Sequence, residues 1–170
     1  MIQKKVGIIG GGQLGMMLLE SAQENKRAQY TILETSKDCP AFDLCDHFIE
    51  GKLTDAEAIK ELSKNCDVIT WEIEHINVDA LIELENSGKQ IIPSPKVLEI
   101  IHDKGIQKEF YISHKVPTSP FVLLQDNELL AYLENHPEFI VAGKVVVKSR
   151  TGGYDGKGVQ ILDIDQIRAG

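Results

Sequence analysis

Long apolar runs are absent from this 170-residue chain, and none approaches the roughly 18 residues that a membrane-spanning helix needs. Aromatic residues are scarce, at 6% with a single Trp, and Cys is limited to Cys39, Cys45 and Cys66. An odd count with no CxxC pair and no His at ligand spacing excludes a disulfide framework and a zinc site. Positive charge is in deficit as well. Lys and Arg total 18 against 26 Asp and Glu, a net charge of −8. That balance argues against nucleic-acid binding, so any anionic ligand has to be held by a local cationic cluster. Lys4 and Lys5 precede an apolar stretch too short for a secretory signal, which reads as a first strand. Free thiols without a signal point to the cytoplasm. With 42% hydrophobic and 26% charged residues, the composition is that of a globular protein.

The first half alternates short β-like runs with helical patterns. Val6–Ile9, Tyr30–Leu33, His47–Ile49, Val68–Trp71 and Ile91–Ile92 read as strands. Between them, Leu14, Met17, Leu18 and Ser21–Ala22 recur at helical spacing, Thr54 with Glu57 forms a capping box before Ile59 and Leu62, and Val78–Leu84 is helical. This alternation predicts an α/β fold with a parallel sheet covered on both faces. Ser94-Pro95 predicts a helix start, with the helix running to about Tyr111 and turning Val97, Leu98, Ile101 and Ile106 inward. Beyond Val116-Pro117 the texture changes. Phe121–Leu124, Ile140–Val141, Val145–Val147 and Val159–Leu162 read as strands, with a helix around Glu128–Glu134. Glycine loops joining strand to strand predict an antiparallel sheet. The expected division is a Rossmann-like domain over 1–94, then a linker helix and the first part of an α+β domain over 95–170. A second domain with so few strands predicts that the chain is the N-terminal portion of a longer polypeptide.

Two glycine loops carry the candidate chemistry. Gly10-Gly11-Gly12-Gln13-Leu14-Gly15 satisfies GxGxxG between a strand and a helix, where free N–H groups and the helix dipole favour an anion. Glu34, ending the second strand, stands where a dinucleotide-binding protein keeps its ribose-binding acid, so an NAD-dependent oxidoreductase is one reading. The second loop runs from Lys148 through Ser149, Arg150, Thr151, Gly152, Gly153, Tyr154, Asp155, Gly156 and Lys157 to Gly158. It is no Walker A loop, because Gly158 follows Gly156-Lys157 and the leading glycine is replaced by Thr151. A basic, glycine-rich hairpin is suited to fold over phosphates, with Lys148 at a strand end as a point charge. Trp71-Glu72-Ile73-Glu74-His75 ends the fourth strand, which places Glu72 near the first loop, since ligands of open parallel sheets sit beyond the strands' carboxyl ends. Asp103-Lys104, with Lys108 one turn later, reads as a solvated helix face on its own.

Taken together, Gly7-Ile8-Ile9-Gly10-Gly11-Gly12-Gln13-Leu14-Gly15, Trp71-Glu72-Ile73-Glu74-His75, Asp103-Lys104 and Gly152-Gly153-Tyr154-Asp155-Gly156-Lys157-Gly158 resemble the 5-(carboxyamino)imidazole ribonucleotide synthase family of the ATP-grasp superfamily. The resemblance implies a pre-ATP-grasp domain followed by the start of an ATP-grasp domain. It also implies the reaction: ATP and bicarbonate give carboxyphosphate, and the exocyclic amine of aminoimidazole ribonucleotide is carboxylated. Carried over by motif, Lys104, Lys148 and the segment Gly153, Tyr154, Asp155, Gly156, Lys157, Gly158 and Val159 bind ATP. Gly12, Gln13, Leu14, Glu72, Tyr154 and Lys157 contact the ribonucleotide. Glu72, Tyr154 and Lys157 are the implied catalytic residues, with Glu72 either orienting the amine or contacting the ribose. The resemblance further implies Mg²⁺, held by carboxylates beyond Gly170, and a homodimer. Lys157 stands where some members have Arg, and Trp71 where Phe or Tyr is usual. A non-catalytic nucleotide-sensing module is a further reading of so short a chain.

Overall fold

The computed structural model describes residues 4–23, 28–125, 127–153 and 158–169. The chain divides into two compact units, residues 1–99 and 100–170.

The first unit is a five-stranded parallel sheet in the order β3-β2-β1-β4-β5. Its strands are β1 (Lys4–Ile9), β2 (Ala28–Glu34), β3 (His47–Glu50), β4 (Val68–Trp71) and β5 (Gln90–Ile91). Successive side chains leave opposite faces of a strand, and both faces here are apolar. Ile9, Leu33 and Ile69 pack in one core with Ile59 and Leu62 of α2 (Ala56–Asn65) and Leu81 of α3 (Val78–Asn86). Ile8 and Ile32 pack in the other with Leu19 of α1 (Gln13–Gln23) and with Ala41, which precedes a 3₁₀ turn at Phe42–Leu44. The order reverses between β1 and β4, and the chain leaving their carboxyl ends forms the crevice where such sheets take ligands.

α1 is a helix as its spacing predicts, whereas the cap of α2 differs from the sequence reading. The cap of α2 is Asp55, not Thr54: the Asp55 carboxylate accepts from Glu57 N, as an extended residue directly before the helix can. On α1 the buried residues are Gly15 and Leu19, while Leu14, Met17 and Leu18 are exposed. Gly15 decides that orientation, since a Cβ there would lie 2.7 Å from Gly10 O, so only a bare backbone fits against the loop.

The helix expected from Ser94 to Tyr111 is two helices, α4 (Lys96–His102) and α5 (Lys104–Ser113). Asp103 breaks it. Its backbone is extended, and its carboxylate accepts from Gly105 N and Ile106 N, a new N-cap in place of a helical residue. Of the four apolar positions expected inward, only Leu98 is buried; Val97, Ile101 and Ile106 are exposed. The α5 C-terminus closes in a Schellman arrangement, Val116 N donating to Tyr111 O and Lys115 N to Ile112 O, with Lys115 left-handed at φ 57°.

In the second unit, β6 (Lys144–Lys148) and β7 (Val159–Asp163) pair antiparallel, followed by α7 (Ile164–Ala169). The expected helix is α6 (Leu129–Asn135). Phe121–Leu124 is not a strand, and Ile140–Val141 amounts to one bridge from Val141 to Lys144. β-Branched and aromatic residues favour strands only where a neighbouring strand pairs with them. The run at 121–124 instead lies beside a tether: Lys108 Nζ donates to Thr118 Oγ1 and to Ser119 and sits 5.5 Å from the Phe121 ring centroid. Lys108 is thus a fastening residue rather than part of a solvated face. No helix of the described residues is long and apolar enough to cross a membrane.

Candidate functional site

The crevice of the first unit is built by three backbone segments. Gly10 N donates to Leu33 O and Glu72 N to Ile9 O, so the loop leaving β1 is stitched to the ends of β2 and β4. Gly10 has φ 101°, a conformation that glycine alone adopts without strain. It also leaves room for Glu72, whose Oε1 lies 2.6 Å from where a Gly10 Cβ would stand. Glu72 Oε1 accepts from Gly12 N at 3.1 Å, and Glu34 Oε2 accepts from Gly11 N at 2.9 Å. The N–H groups that the GxGxxG pattern offers to an anion are therefore taken by two of the protein's own carboxylates.

That arrangement corrects the dinucleotide reading. Glu34 is at the expected place, but both its oxygens are engaged, Oε1 accepting from Thr35 N and Oγ1 and Oε2 from Gly11 N. A pyrophosphate at this loop would face two carboxylates and find the Gly11 and Gly12 amides occupied. Sequence pattern marks the loop but not which acceptor its amides meet.

The two acids differ electrically. Burial pushes the Glu34 carboxyl up, but hydrogen bonds from Thr35 and Gly11 outweigh it and hold Glu34 below the ordinary carboxylate range. Burial pushes Glu72 up too. There the single Gly12 amide offsets only part of it, and the negative charges of Glu34 and Glu74 add to the rise. The signs for stability are opposite. Glu34 stabilises the fold above the usual carboxylate range and loses that contribution as pH falls through its lowered value. Glu72 costs stability while ionised, and the cost disappears as pH falls through its raised value. Glu72→Gln keeps an oxygen for Gly12 N and drops the charge. Its urea midpoint is expected to exceed that of the wild type at neutral pH and to match it in acid, where Glu72 is protonated. A lower midpoint at neutral pH would show the charge to be stabilising.

Gln13 and Leu14 open α1 beside this crevice, both exposed. Gly12, Gln13, Leu14 and Glu72 are thus gathered by one loop and one strand end.

The candidate nucleotide residues lie in the second unit. Lys148 ends β6, exposed, and among the described residues its ammonium has no hydrogen-bond or ion-pair partner. Lys104 starts α5; its backbone N donates to Arg150 O and its Nζ to Gly153 O, each at 2.9 Å. Ser149 N donates to Gly158 O at 2.8 Å, and a Cβ on Gly158 (φ 85°) would overlap Ser149 Oγ, so the limbs of the second glycine loop meet where only glycine fits. Val159 follows as the first residue of β7, opposite Lys148. Tyr154, Asp155, Gly156 and Lys157 lie outside the described residues. Sequence reasoning missed the pairing of Asp103 with Arg150, whose side chains meet at 2.7 Å. The Asp103-Lys104 motif was visible, but no local spacing joins it to a residue 47 positions away. Among the described residues no three His, Cys, Asp or Glu side chains converge as a metal site would require.

Comparison with known proteins bears on both units. Residues 3–102 match the family described as ribonucleotide synthetase pre-ATP-grasp domain. A phosphoribosylaminoimidazole carboxylase of Ogataea methanolica is 38% identical over 93% of this chain and 29% of its own length. An N5-carboxyaminoimidazole ribonucleotide synthase of Brucella melitensis is 37% identical over 96% of this chain and 44% of its own. The crystal structure of an N5-carboxyaminoimidazole synthase from Aspergillus clavatus, in complex with ADP and 5-aminoimidazole ribonucleotide, superposes with a TM-score of 0.81 at 32% identity. That likeness covers 98% of this chain and 43% of the Aspergillus chain. The chain thus spans under half the length of the relatives it matches.

Proposed function

Because this chain belongs to the ribonucleotide synthetase pre-ATP-grasp family, we propose that it is the front part of a 5-(carboxyamino)imidazole ribonucleotide synthase. The reaction uses ATP to activate bicarbonate as carboxyphosphate and carboxylates aminoimidazole ribonucleotide. The observation that carries this reading is the docking of Glu72 on Gly12 N at the point where the strand order reverses. The relatives named as this synthase, one with the ribonucleotide bound, support it.

The first unit takes the ribonucleotide. With Glu72 Oε1 bonded to Gly12 N, Oε2 faces the ligand as an acceptor for a ribose hydroxyl or the exocyclic amine. Two carboxylates at this loop repel a phosphate, so the ribonucleotide presents its hydroxyl- and amine-bearing part here and its phosphate elsewhere. Gln13 supplies an amide with both donor and acceptor, and Leu14 apolar surface for the heterocycle. Tyr154 and Lys157 complete the assignment by family motif.

The second unit takes ATP. Among the described residues Lys148 is an uncommitted cation at a strand end, and its face of the hairpin also exposes Val146 and Ile161, apolar surface on which a purine ring can lie. Lys104 offers a second ammonium, and Gly153, Gly158 and Val159, with 154–157 by motif, supply backbone N–H groups for phosphate oxygens. Carboxyphosphate decomposes in water, so these residues have to neutralise phosphate charge and exclude solvent together. Mg²⁺ would neutralise further phosphate charge when bound with ATP. A homodimer and a cytoplasmic location belong to this same reading.

In the native polypeptide, ATP hydrolysis is expected to depend on added aminoimidazole ribonucleotide and to be accompanied by capture of labelled bicarbonate. ATP turnover that ignores the ribonucleotide, or proceeds without bicarbonate capture, would sink the assignment. Nucleotide binding with no turnover in any combination would favour a sensing module instead.

A further inference from the structure

We propose that Asp103 and Arg150 are positioning residues for the nucleotide site, their ion pair fastening the first limb of the second glycine loop to the N-terminus of α5. The inference rests on the assignment of Lys104 and Lys148 to ATP and names what holds them.

Three contacts converge on this limb. Arg150 Nε lies 2.7 Å from both Asp103 carboxylate oxygens. Lys104 N donates to Arg150 O, and Lys104 Nζ reaches Gly153 O. Asp103 also caps α5 by accepting from Gly105 N at 2.8 Å and Ile106 N at 3.1 Å. One carboxylate therefore ties together a helix start and a strand exit. The backbone is shaped for it: a Cβ on Gly105 would stand 3.0 Å from Arg150 Nε and 3.2 Å from a Leu123 methyl, tighter than ordinary contact.

A cap alone needs an acceptor, not a charge, and Asn serves as well as Asp. The pair is also a poor stabiliser of the fold. The Arg150 side chain is 55% exposed although that of Asp103 is only 17% exposed, and an ion pair with one partner this open to water adds little to global stability. Its effect is local. Arg150 follows Lys148 by two residues, so fixing Arg150 limits where the Lys148 ammonium can go. The same limb supplies Gly153 O, on which Lys104 Nζ rests. The Arg150 charge holds Asp103 below the ordinary carboxylate range, so the pair is intact at neutral pH.

The test is a double-mutant cycle in the native polypeptide, with MgATP and aminoimidazole ribonucleotide titrated separately into wild type, Asp103→Asn, Arg150→Gln and the double variant. Asp103→Asn retains the cap, and Arg150→Gln alters an exposed side chain, so unchanged unfolding midpoints are expected of both. Each single variant is expected to weaken MgATP about five- to tenfold, with the double no weaker than the weaker single, because the two substitutions break one interaction. Ribonucleotide affinity is expected to stay at the wild-type value. In turnover the loss should appear in KM for ATP, with kcat within about twofold. Wild-type binding of MgATP with Asp103→Asn unchanged, or with the two single effects multiplying, overturns the inference and leaves the nucleotide reading standing. Failure of the wild type to bind MgATP overturns both.

Discussion

Gly10→Ala is expected to destabilise the first unit by about 2–5 kcal/mol and to abolish ribonucleotide binding in whatever remains folded. Two costs add. At φ 101° an L-residue is strained, on the order of 1–2 kcal/mol. The new Cβ also falls 2.6 Å from Glu72 Oε1, 2.8 Å from Cγ and 2.9 Å from Cδ, an overlap costing about 1–3 kcal/mol unless Glu72 swings away. If it does swing away, Gly12 N loses its acceptor and the crevice loses its acid. Against a total stability of roughly 5–15 kcal/mol the loss is large. Gly12→Ala is the control. It carries no left-handed φ, and its Cβ would approach only Glu72 Oε1, at 3.2 Å, so it is expected to cost far less. Urea midpoints of the two variants check this. Equal, small losses would mean that the loop relaxes freely and that Gly10 is not what admits Glu72.

Lys148→Ala is expected to raise the ATP requirement of the native polypeptide at least tenfold while leaving the ribonucleotide requirement near its wild-type value. An ammonium at a strand end, exposed and unpaired among the described residues, is free to meet a phosphate. Removing a charge-assisted contact costs roughly 1.5–3 kcal/mol. Lys144 sits on the same face of β6, at the far end and opposite Asp163. Lys144→Ala is therefore expected to leave KM for ATP unchanged, which separates a specific contact from a general loss of positive charge. Initial rates over a range of ATP concentrations decide the matter. An unchanged KM in Lys148→Ala would reduce Lys148 to a solvated strand end.

The two variants probe features of unequal visibility. That Gly10 ends a strand and opens a helix is plain from its neighbours, because an apolar run, a glycine cluster and a helical pattern follow within a few residues. That its Cβ position belongs to Glu72, 62 residues on, is not. Likewise β4 at Val68–Trp71 matches the expected run, and Glu72 stands where the reading of an open sheet places it. Glu34 was seen at the right position and given the wrong partner. A carboxylate at the end of β2 suits a ribose or a loop amide equally, and the fold brings Gly11 N within 2.9 Å.

The amino-acid sequence by itself determined the alternating strands and helices of the first unit, the parallel sheet, the two glycine loops and the antiparallel hairpin around the second. These follow from periodicity, capping and turn chemistry, which act over a few residues. Tertiary structure alone decided which face of α1 is buried, because Gly15 must meet the Gly10 carbonyl and leaves Leu14, Met17 and Leu18 outside. It decided that Asp103 breaks a helix, since one carboxylate serves two amides and Arg150 together. It also decided that Phe121–Leu124 is no strand, since among the described residues no neighbour pairs with it. Periodicity along the chain cannot show how a loop folds back on its helix, what reaches Asp103 from 47 positions away, or whether a second segment comes alongside to pair, and each of these depends on how the elements pack.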